Sequence, residues 1–433
     1  MDKPRKHRLP VLRLLSGGIG RHGALARDTA WNAAMNGVVA GLSFVLLVAV
    51  SRFCGAYWCG VVGLSLAMAQ QFYTLGEFTM TGYQASDIAE KRKFGEYVSA
   101  KAFTVCLMVA SALALVCFGR FGRDRIASFL PLLAYQAAET FGLVFFGRYQ
   151  QRGCLAEACK VRFAKVSSFI VAFCCVLWLS RSPVAALWAG VSAYLVLFWL
   201  LDRPMLRRLG PFGMARAPAA VASILGACLP LASNSFLVMA VNNAPRFSVG
   251  HVLGEESVAA FNALFMASFA VTICADFVMN PMLVPLARAA AAADRRAALR
   301  VLRFPAVCIG ALGAAALVAG STFGIRLLGW IFKLDLSPHA GAFRVLLGGG
   351  IAVALYQLGQ TVLVVLRKQV WGLPGMIAAA AFSVLSVNRL VSRHGMAGSA
   401  VCYAAAVAMF AVSSCSFALF FFARATKKDK QCR

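Results

Sequence analysis

The chain has 433 residues, of which 61% are hydrophobic and only 14% are charged, and its mean hydropathy is +0.75. A water-soluble domain of this length is less apolar, so the composition excludes that class and indicates an integral membrane protein. The formal net charge is +27, but the basic residues lie between apolar runs and at the chain ends, which argues against a nucleic-acid partner.

Long apolar runs follow one another along the chain. A bilayer core of about 30 Å needs roughly 20 apolar residues per helix. The runs are continuously apolar and do not alternate in short segments, so they predict helices and not a barrel. We expect about twelve spans, at 29–51, 57–79, 98–118, 126–147, 163–180, 184–202, 219–243, 258–285, 304–324, 345–366, 370–388 and 396–422.

A proline-bearing connection, DRPMLRRLGPFGMARAP at 202–218, separates the sixth span from the seventh. The sequence therefore predicts an all-α polytopic membrane protein with two six-helix lobes. Its parts are a basic cytosolic N-terminal segment (1–28), an N-lobe (29–202), a cytosolic linker (203–218), a C-lobe (219–422) and a basic cytosolic tail (423–433).

The two halves show signs of a repeat. At an offset of 199 residues Gly55 aligns with Gly254, and EFTM at 77–80 aligns with DFVM at 276–279. The alternative is chance agreement, since the offset was chosen to match. Two related six-helix lobes facing a central cavity are a common transporter plan.

Most of the lysines and arginines fall on the side of the N-terminus, in the lead-in, the even-numbered loops and the tail. The positive-inside rule then predicts cytosolic termini and an even number of spans. A rim this basic also favours anionic lipid headgroups as partners.

Signatures of catalysis are missing from the sequence. It contains no GxSxG, HExxH or P-loop, no CxxC, and no Cys/His cluster at metal spacing among its fourteen cysteines. No outer loop exceeds about 20 residues. We therefore predict no enzyme, metal site or cofactor.

Three carboxylates lie within predicted spans: Glu77, Glu139 and Asp276. A charge near a helix centre costs at least roughly 2.5 to 3.5 kcal/mol, so such a residue normally faces a cavity or a partner. Glu139 is the deepest and is a candidate substrate contact. Glu77 and Asp276 are candidates for coupling or gating, or for interfacial pairing with cytosolic Lys or Arg.

An arginine followed by phenylalanine lies at the end of the first helix of each half, at Arg52 and Arg246. Guanidinium groups bind phosphate oxygens bidentately, so a cavity holding both could receive a diphosphate. The alternative is that both arginines snorkel to the interface.

The stretch NNAPRFSVGHVLGEE at 242–256 is a dense polar cluster between two of the most apolar stretches of the chain. Pro245 should interrupt the helix and act as a hinge, with Asn242 and Asn243 satisfying the carbonyls that it frees. Other polar residues could line the same cavity or form interhelical hydrogen bonds. They are Asn32, Asn36, Tyr356, Gln357 and Gln360, of which Gln357 is a candidate substrate contact.

Three stretches carry a resemblance to a known family: GYQASDIAEKRKFGEYVSAK (82–101), YQAAETFGLVFFGRYQQRGCLAEA (135–158) and NNAPRFSVGHVLGEE. Together they resemble polysaccharide-unit (Wzx-like) flippases and lipopolysaccharide biosynthesis proteins. These belong to the multidrug/oligosaccharidyl-lipid/polysaccharide exporter superfamily. In this resemblance Arg246 and Phe247 match the family's basic and aromatic pair, and Glu139 matches its acidic position.

The resemblance implies a flippase in the cytoplasmic membrane of a bacterium. It would move an undecaprenyl-diphosphate-linked sugar unit for O-antigen or capsule, next to polysaccharide polymerase or export partners, with coupling to proton, sodium or membrane potential left open. A cation-coupled drug or metabolite antiporter of the same superfamily is the main alternative, with Glu139 or Asp276 carrying the ion. A membrane glycosyltransferase or ligase and a structural role are further alternatives.

Overall fold

The computed structural model describes the backbone of residues 21–431 except 88–89, 120, 203, 205–212, 216, 280–281, 283–285, 287–288, 290–294 and 367. Side chains are described from residue 27 onward, without those of 273, 276, 277, 295–299, 369 and 422–431. The predicted N-terminal segment, most of the predicted linker and the side chain of Asp276 thus lie wholly or largely outside the described residues.

Helices make up nearly all of the described chain, as the apolar runs predict. The N-terminal half contains α1 (Arg21–Glu77), α2 (Met80–Ser86), α3 (Phe94–Phe118), α4 (Arg123–Gln151), α5 (Leu155–Ser180) and α6 (Pro183–Leu197), followed by a π-helical turn, Phe198–Asp202. The C-terminal half contains α7 (Pro218–Val252), α8 (Glu255–Met279), α9 (Arg295–Ala319), a π-helical turn at Gly320–Gly324, α10 (Ile325–Phe332), α11 (Ala340–Val365) and α12 (Leu373–Gln431). Short 3-10 turns at Ser337–His339 and Gln369–Gly372 flank α11.

Two of these helices are too long for a single crossing. In the described residues nine segments are long and apolar enough to span a membrane, and two of them, Arg27–Ser86 and Val370–Phe421, have 60 and 52 residues. At 1.5 Å per residue these would run roughly 80 to 90 Å, against a bilayer core of about 30 Å. Counting each as two crossings and adding the 25-residue apolar α8 is compatible with twelve spans.

Glycines mark the points at which these long helices divide. Gly55 in α1 has φ 87° and Gly395 in α12 has φ 58°, backbone conformations that only glycine adopts without strain. Both lie at predicted boundaries between spans. Gly254 joins α7 to α8 with φ 88°, so the residues aligned by the repeat, Gly55 and Gly254, share one unusual conformation.

The two halves touch mainly at one end of the bundle. Residues 59–69 of α1 and 258–265 of α8 are all buried, and most of 241–250 in α7 is buried too. At the opposite end, most of residues 29–37 in α1 is exposed. We call the end near Gly55 and Gly254 the closed end, and the opposite end the open end.

The seventh span contacts both halves of the chain. Near the open end, Ile224 and Cys228 of α7 share a hydrophobic cluster with Met80, Tyr97 and Phe145 of the N-terminal half. The described part of the predicted linker, just before α7, lies against α3. The Ala215 amide donates to the Gly95 carbonyl at 3.2 Å, and the Ser99 hydroxyl donates to the Ala215 carbonyl at 3.0 Å.

Candidate functional site

A buried ion pair lies in the core of the N-terminal half. Arg162 Nε on α5 donates to Glu139 Oε1 on α4 at 2.6 Å, and the Tyr194 hydroxyl on α6 donates to Glu139 Oε2. The Glu139 side chain is only 5% exposed. In this conformation both of its carboxylate oxygens are engaged by protein, and its predicted role as a substrate contact stays a prediction.

A second buried pair lies beside the first. Lys165 Nζ donates to Asp202 Oδ2 at 2.6 Å, with the two side chains 4% and 3% exposed. The Lys165 ammonium also lies 5.0 Å from the centroid of the Phe198 ring. The two pairs border a cavity with room for about one water molecule (≈ 10 Å³). The formal charges of these four residues cancel, so the cluster presents no net charge to a substrate.

Sequence reasoning missed Arg162, Lys165 and Asp202 because each lies at the edge of a predicted span, where a charge looks solvated. The sequence did contain an indication of this charged cluster. Arg162 and Lys165 are three residues apart and therefore share one face of α5. The preceding span carries Glu139, the deepest carboxylate in the sequence.

Arg246 lies on α7 between two residues that contact α1. One turn before it, Asn243 Nδ2 donates to the Ala67 carbonyl of α1 at 3.1 Å. One turn after it, Gly250 lies against Leu64 of α1, because an added Cβ would come 2.6 Å from that side chain. By helical spacing Arg246 lies close to this α1-facing stripe.

The Arg246 guanidinium packs on an aromatic ring and not on a carboxylate. It lies 4.4 Å from the centroid of Phe265 on α8, and its Nε is buried without a hydrogen-bond partner. The salt bridges of the described side chains do not include it. Arg246 is thus a half-buried cation whose charge no described residue neutralises.

Asn262 on α8 completes this polar region and was missed by sequence reasoning. Its side chain is 1% exposed, and neither amide atom has a hydrogen-bond partner. It fits against Gly63 of α1, where an added Cβ would lie 2.2 Å from Asn262 Nδ2. The signal in the sequence is a lone amide within the apolar run SVAAFNALFM.

Pro245 does not end its helix, since α7 continues through it to Val252. Its carbonyl accepts a hydrogen bond from the Ser399 hydroxyl of α12 at 3.2 Å. The expectation that Asn243 satisfies carbonyls freed by this proline is wrong, because its amide donates to α1. Asn242 is half-buried, and Gln357 on α11 has a buried Oε1 without a partner.

Arg52 has different neighbours from Arg246. Its Nε donates to the Ile331 carbonyl at 2.6 Å and its Nη2 to the Trp330 carbonyl at 3.0 Å. The preceding Ser51 hydroxyl donates to the Phe332 carbonyl. These are the last carbonyls of α10, which a cation stabilises at a helix C-terminus. The described partners of Arg52 differ from the Phe265 ring on which Arg246 stacks, and the substrate role of Arg52 stays a prediction.

Glu77 lies at the end of α1, where its Oε2 accepts the backbone N–H of Thr79 at 2.6 Å. The buried Lys101 of α3 donates to the Glu77 carbonyl at 2.8 Å. The side chain of Asp276 is not among the described residues. The coupling or gating role of both carboxylates stays a prediction.

Two of the three resemblance motifs meet at the open end. Asp87, after α2, accepts the backbone N–H groups of Lys91 at 3.0 Å and Arg92 at 3.1 Å. Desolvation raises the pKa of Asp87, but these hydrogen bonds outweigh it and lower that pKa below its usual value. The Gln151 side chain from the second motif donates to the Asp87 carbonyl at 2.5 Å. These motif residues therefore hold the loops together.

Comparison with known proteins identifies the family to which the chain belongs. The family model described as polysaccharide biosynthesis protein matches residues 25–287, more than half of the chain. The chain belongs to the polysaccharide biosynthesis protein family. No curated protein is significantly similar to it in sequence.

Solved structures share the fold of this family member. It is similar to a multidrug resistance MATE family transporter of the MOP superfamily in its inward-facing conformation, with TM-score 0.68 and 12% identity over 90% of this chain and 96% of that one. An outward-facing MATE structure gives TM-score 0.57 and 14% identity, covering 93% and 94%. A eukaryotic MATE transporter gives 0.60 and 12%, covering 94% and 98%. The fold is that of a MATE-like membrane transporter.

Proposed function

We propose that this protein is a flippase that carries an undecaprenyl-diphosphate-linked sugar unit across the cytoplasmic membrane of a bacterium. The observation that carries the proposal is the unneutralised Arg246, which stacks on Phe265 and has a free Nε. A diphosphate head group requires a cation in a site from which water is partly excluded, and a guanidinium suits its oxygens best. The family match supports a polysaccharide-related substrate.

The surrounding groups suit the rest of such a substrate. Asn242 on α7 and Gln357 on α11 supply amide groups, and Asn243 supplies an amide oxygen that is buried without a partner. Amides pair with sugar hydroxyls, while the polyprenyl tail can stay in the bilayer. Only the polar head has to cross, so a cavity that opens to one side at a time is sufficient.

The difference between the closed and the open end fits one step of an alternating-access cycle, in which the cavity opens to one side of the membrane at a time. Under the proposed orientation the open end faces the cytosol and the closed end faces outward. The higher TM-score with the inward-facing transporter than with the outward-facing one, 0.68 against 0.57, supports this assignment. In this state the cavity would receive the lipid-linked sugar on the cytosolic side.

A cation-coupled antiporter of the same superfamily is the second candidate, and the MATE-like fold favours it. It needs a carboxylate that can take up an ion. The first span offers only Asn32 and Asn36, which bond each other at 3.3 Å. Glu139 is already paired with Arg162 and Tyr194, and this pairing supports the flippase instead.

The experiment that tests this proposal substitutes Arg246. We expect Arg246→Ala to weaken binding of undecaprenyl diphosphate to the purified protein about 10- to 100-fold, because a charge-assisted contact is lost. Arg246→Lys, which keeps the charge without the fork, should be intermediate. The same order is expected for complementation of a strain whose surface polysaccharide depends on this protein.

The matched control is Arg344→Ala, since Arg344 is an exposed arginine of the same half that contacts only its own helix in the described structure. It should bind undecaprenyl diphosphate as the unmodified protein does. Equal binding by Arg246→Ala and Arg344→Ala would refute the role of Arg246. Cation-driven drug uptake without any effect on the glycolipid would favour the antiporter.

A further inference from the structure

Two arginine contacts hold the rim of the closed end. Arg125 Nε on α4 lies 2.5 Å from Glu255 Oε1 at the start of α8. Arg52 on α1 donates to the last carbonyls of α10. In both contacts the arginine comes from the N-terminal half and its partner from the C-terminal half. The rim is therefore stabilised by polar contacts between the halves.

Below this rim the halves are in direct backbone contact. A Cβ added at Gly60 of α1 would come 1.8 Å from the Glu255 carbonyl oxygen, and one added at Gly63 would come 2.2 Å from the Asn262 amide nitrogen. The flanking residues Leu64, Val258 and Ala259 are buried and apolar. The contact has the small residues that let two helices approach closely in a membrane.

Asn262 is an exception within this otherwise well-packed contact. Its amide is 1% exposed, and both its oxygen and its nitrogen lack partners. Asn243, in the same contact, donates to the Ala67 carbonyl. An unsatisfied buried polar group carries a desolvation penalty equivalent to roughly a 10-fold or larger shift in an equilibrium. Leucine has the same number of side-chain heavy atoms with the same branching and would carry no such penalty.

We propose that Asn262 destabilises the closed end and so lowers the free energy that is needed to open it. The rim arginines favour closure, and the unpaired amide opposes it. When the halves separate at this end, the amide gains hydrogen-bond partners from water and the penalty is removed. This inference concerns the conformational equilibrium and holds whatever substrate the protein carries.

The experiment measures opening directly, by backbone hydrogen exchange of the full-length protein in lipid nanodiscs. We expect Asn262→Leu to slow exchange in residues 59–67 and 258–265 about tenfold, because the closed state loses its penalty. One comparison variant, Arg125→Gln, should speed exchange there, because it breaks the rim contact with Glu255. Residues 143–149 in the core of α4 serve as the reference.

The opposite signs of Asn262→Leu and Arg125→Gln separate this proposal from a general effect of substitution at the closed end. Unchanged or faster exchange in folded Asn262→Leu would overturn it. If that variant fails to fold, Asn262→Ala replaces it, since it removes the amide without adding bulk. Slower exchange in Asn262→Ala supports the proposal, and unchanged or faster exchange overturns it.

Discussion

At the scale of single residues, Arg52 and Arg246 show that one sequence context can lead to two environments. Each arginine precedes a phenylalanine at the end of the first span of its half. Arg52 stabilises the carbonyl end of α10, whereas Arg246 stacks on Phe265 with its Nε unpaired. The Arg246 guanidinium thus keeps its Nε donor free, whereas the Nε of Arg52 is engaged by α10.

The buried pair Lys165–Asp202 allows a prediction at the same scale. Removing one partner leaves an uncompensated buried charge, so we expect Lys165→Met to destabilise the protein by about 3 to 5 kcal/mol. The double variant Lys165→Met/Asp202→Leu should recover most of this loss, because no charge remains unpaired. Thermal unfolding in detergent measures both.

Lys160→Met is the control for this pair. Lys160 lies on the same helix, and its contact with Glu157 is long (3.9 Å) and exposed, so its loss should leave the unfolding midpoint nearly unchanged. A double variant no more stable than Lys165→Met alone would show that pairing with Asp202 is not what stabilises Lys165.

At the scale of helices, glycines decide how closely α1 and α8 approach. Gly60 has no room for a side chain, because the Glu255 carbonyl occupies the position of its Cβ. Gly37 and Gly41, on the exposed half of α1, have nothing within 4 Å of an added Cβ. The same helix therefore carries glycines that the packing requires and glycines that it does not.

This contrast predicts that replacing glycine by alanine changes the stability of the protein differently at Gly60 and at Gly37. Gly60→Ala should lower the thermal unfolding midpoint and speed hydrogen exchange at 258–265, because overpacking of this kind costs about 1 to 3 kcal/mol. Gly37→Ala should leave the midpoint unchanged or raise it slightly, since alanine favours a helix over glycine. Equal effects of the two substitutions would contradict the close contact.

At the scale of the whole molecule, burial falls from one end of the bundle to the other. Residues 59–69 and 258–265 are buried at the closed end, and 29–37 are mostly exposed toward the open end. The basic residues follow the same division, because the loop after α2 and the loop after α4 carry Lys91, Arg92 and Arg152 at the open end. By the positive-inside rule the open end should face the cytosol.

Reporter fusions test this orientation. A fluorescent protein that folds only in the cytosol should fluoresce when fused to either terminus. Alkaline phosphatase, which is active only outside the cytosol, should be active when inserted after Ser182 or Ser337, two positions at the closed end. Phosphatase activity at either terminus would show the reverse orientation.

Much of the fold could be predicted from the sequence. Twelve apolar runs, the divisions near Gly55 and Gly395, and the resemblance to polysaccharide flippases all came from contiguous stretches. The family and the helical transporter fold are confirmed. The candidate site residues stay predictions, and sequence reasoning missed four buried polar residues: Asn262, Arg162, Lys165 and Asp202.

The sequence by itself determined which segments enter the membrane, because the free energy of transferring a segment to lipid depends on the composition of that segment. The tertiary structure alone decided which polar groups meet. Lys165 and Asp202 are 37 residues apart, and Arg52 and Ile331 are 279 apart. A buried polar side chain needs a partner, but which partner it finds depends on how helices distant in the sequence pack against each other. For this reason Arg52 bonds the end of α10, whereas Arg246 stacks on Phe265.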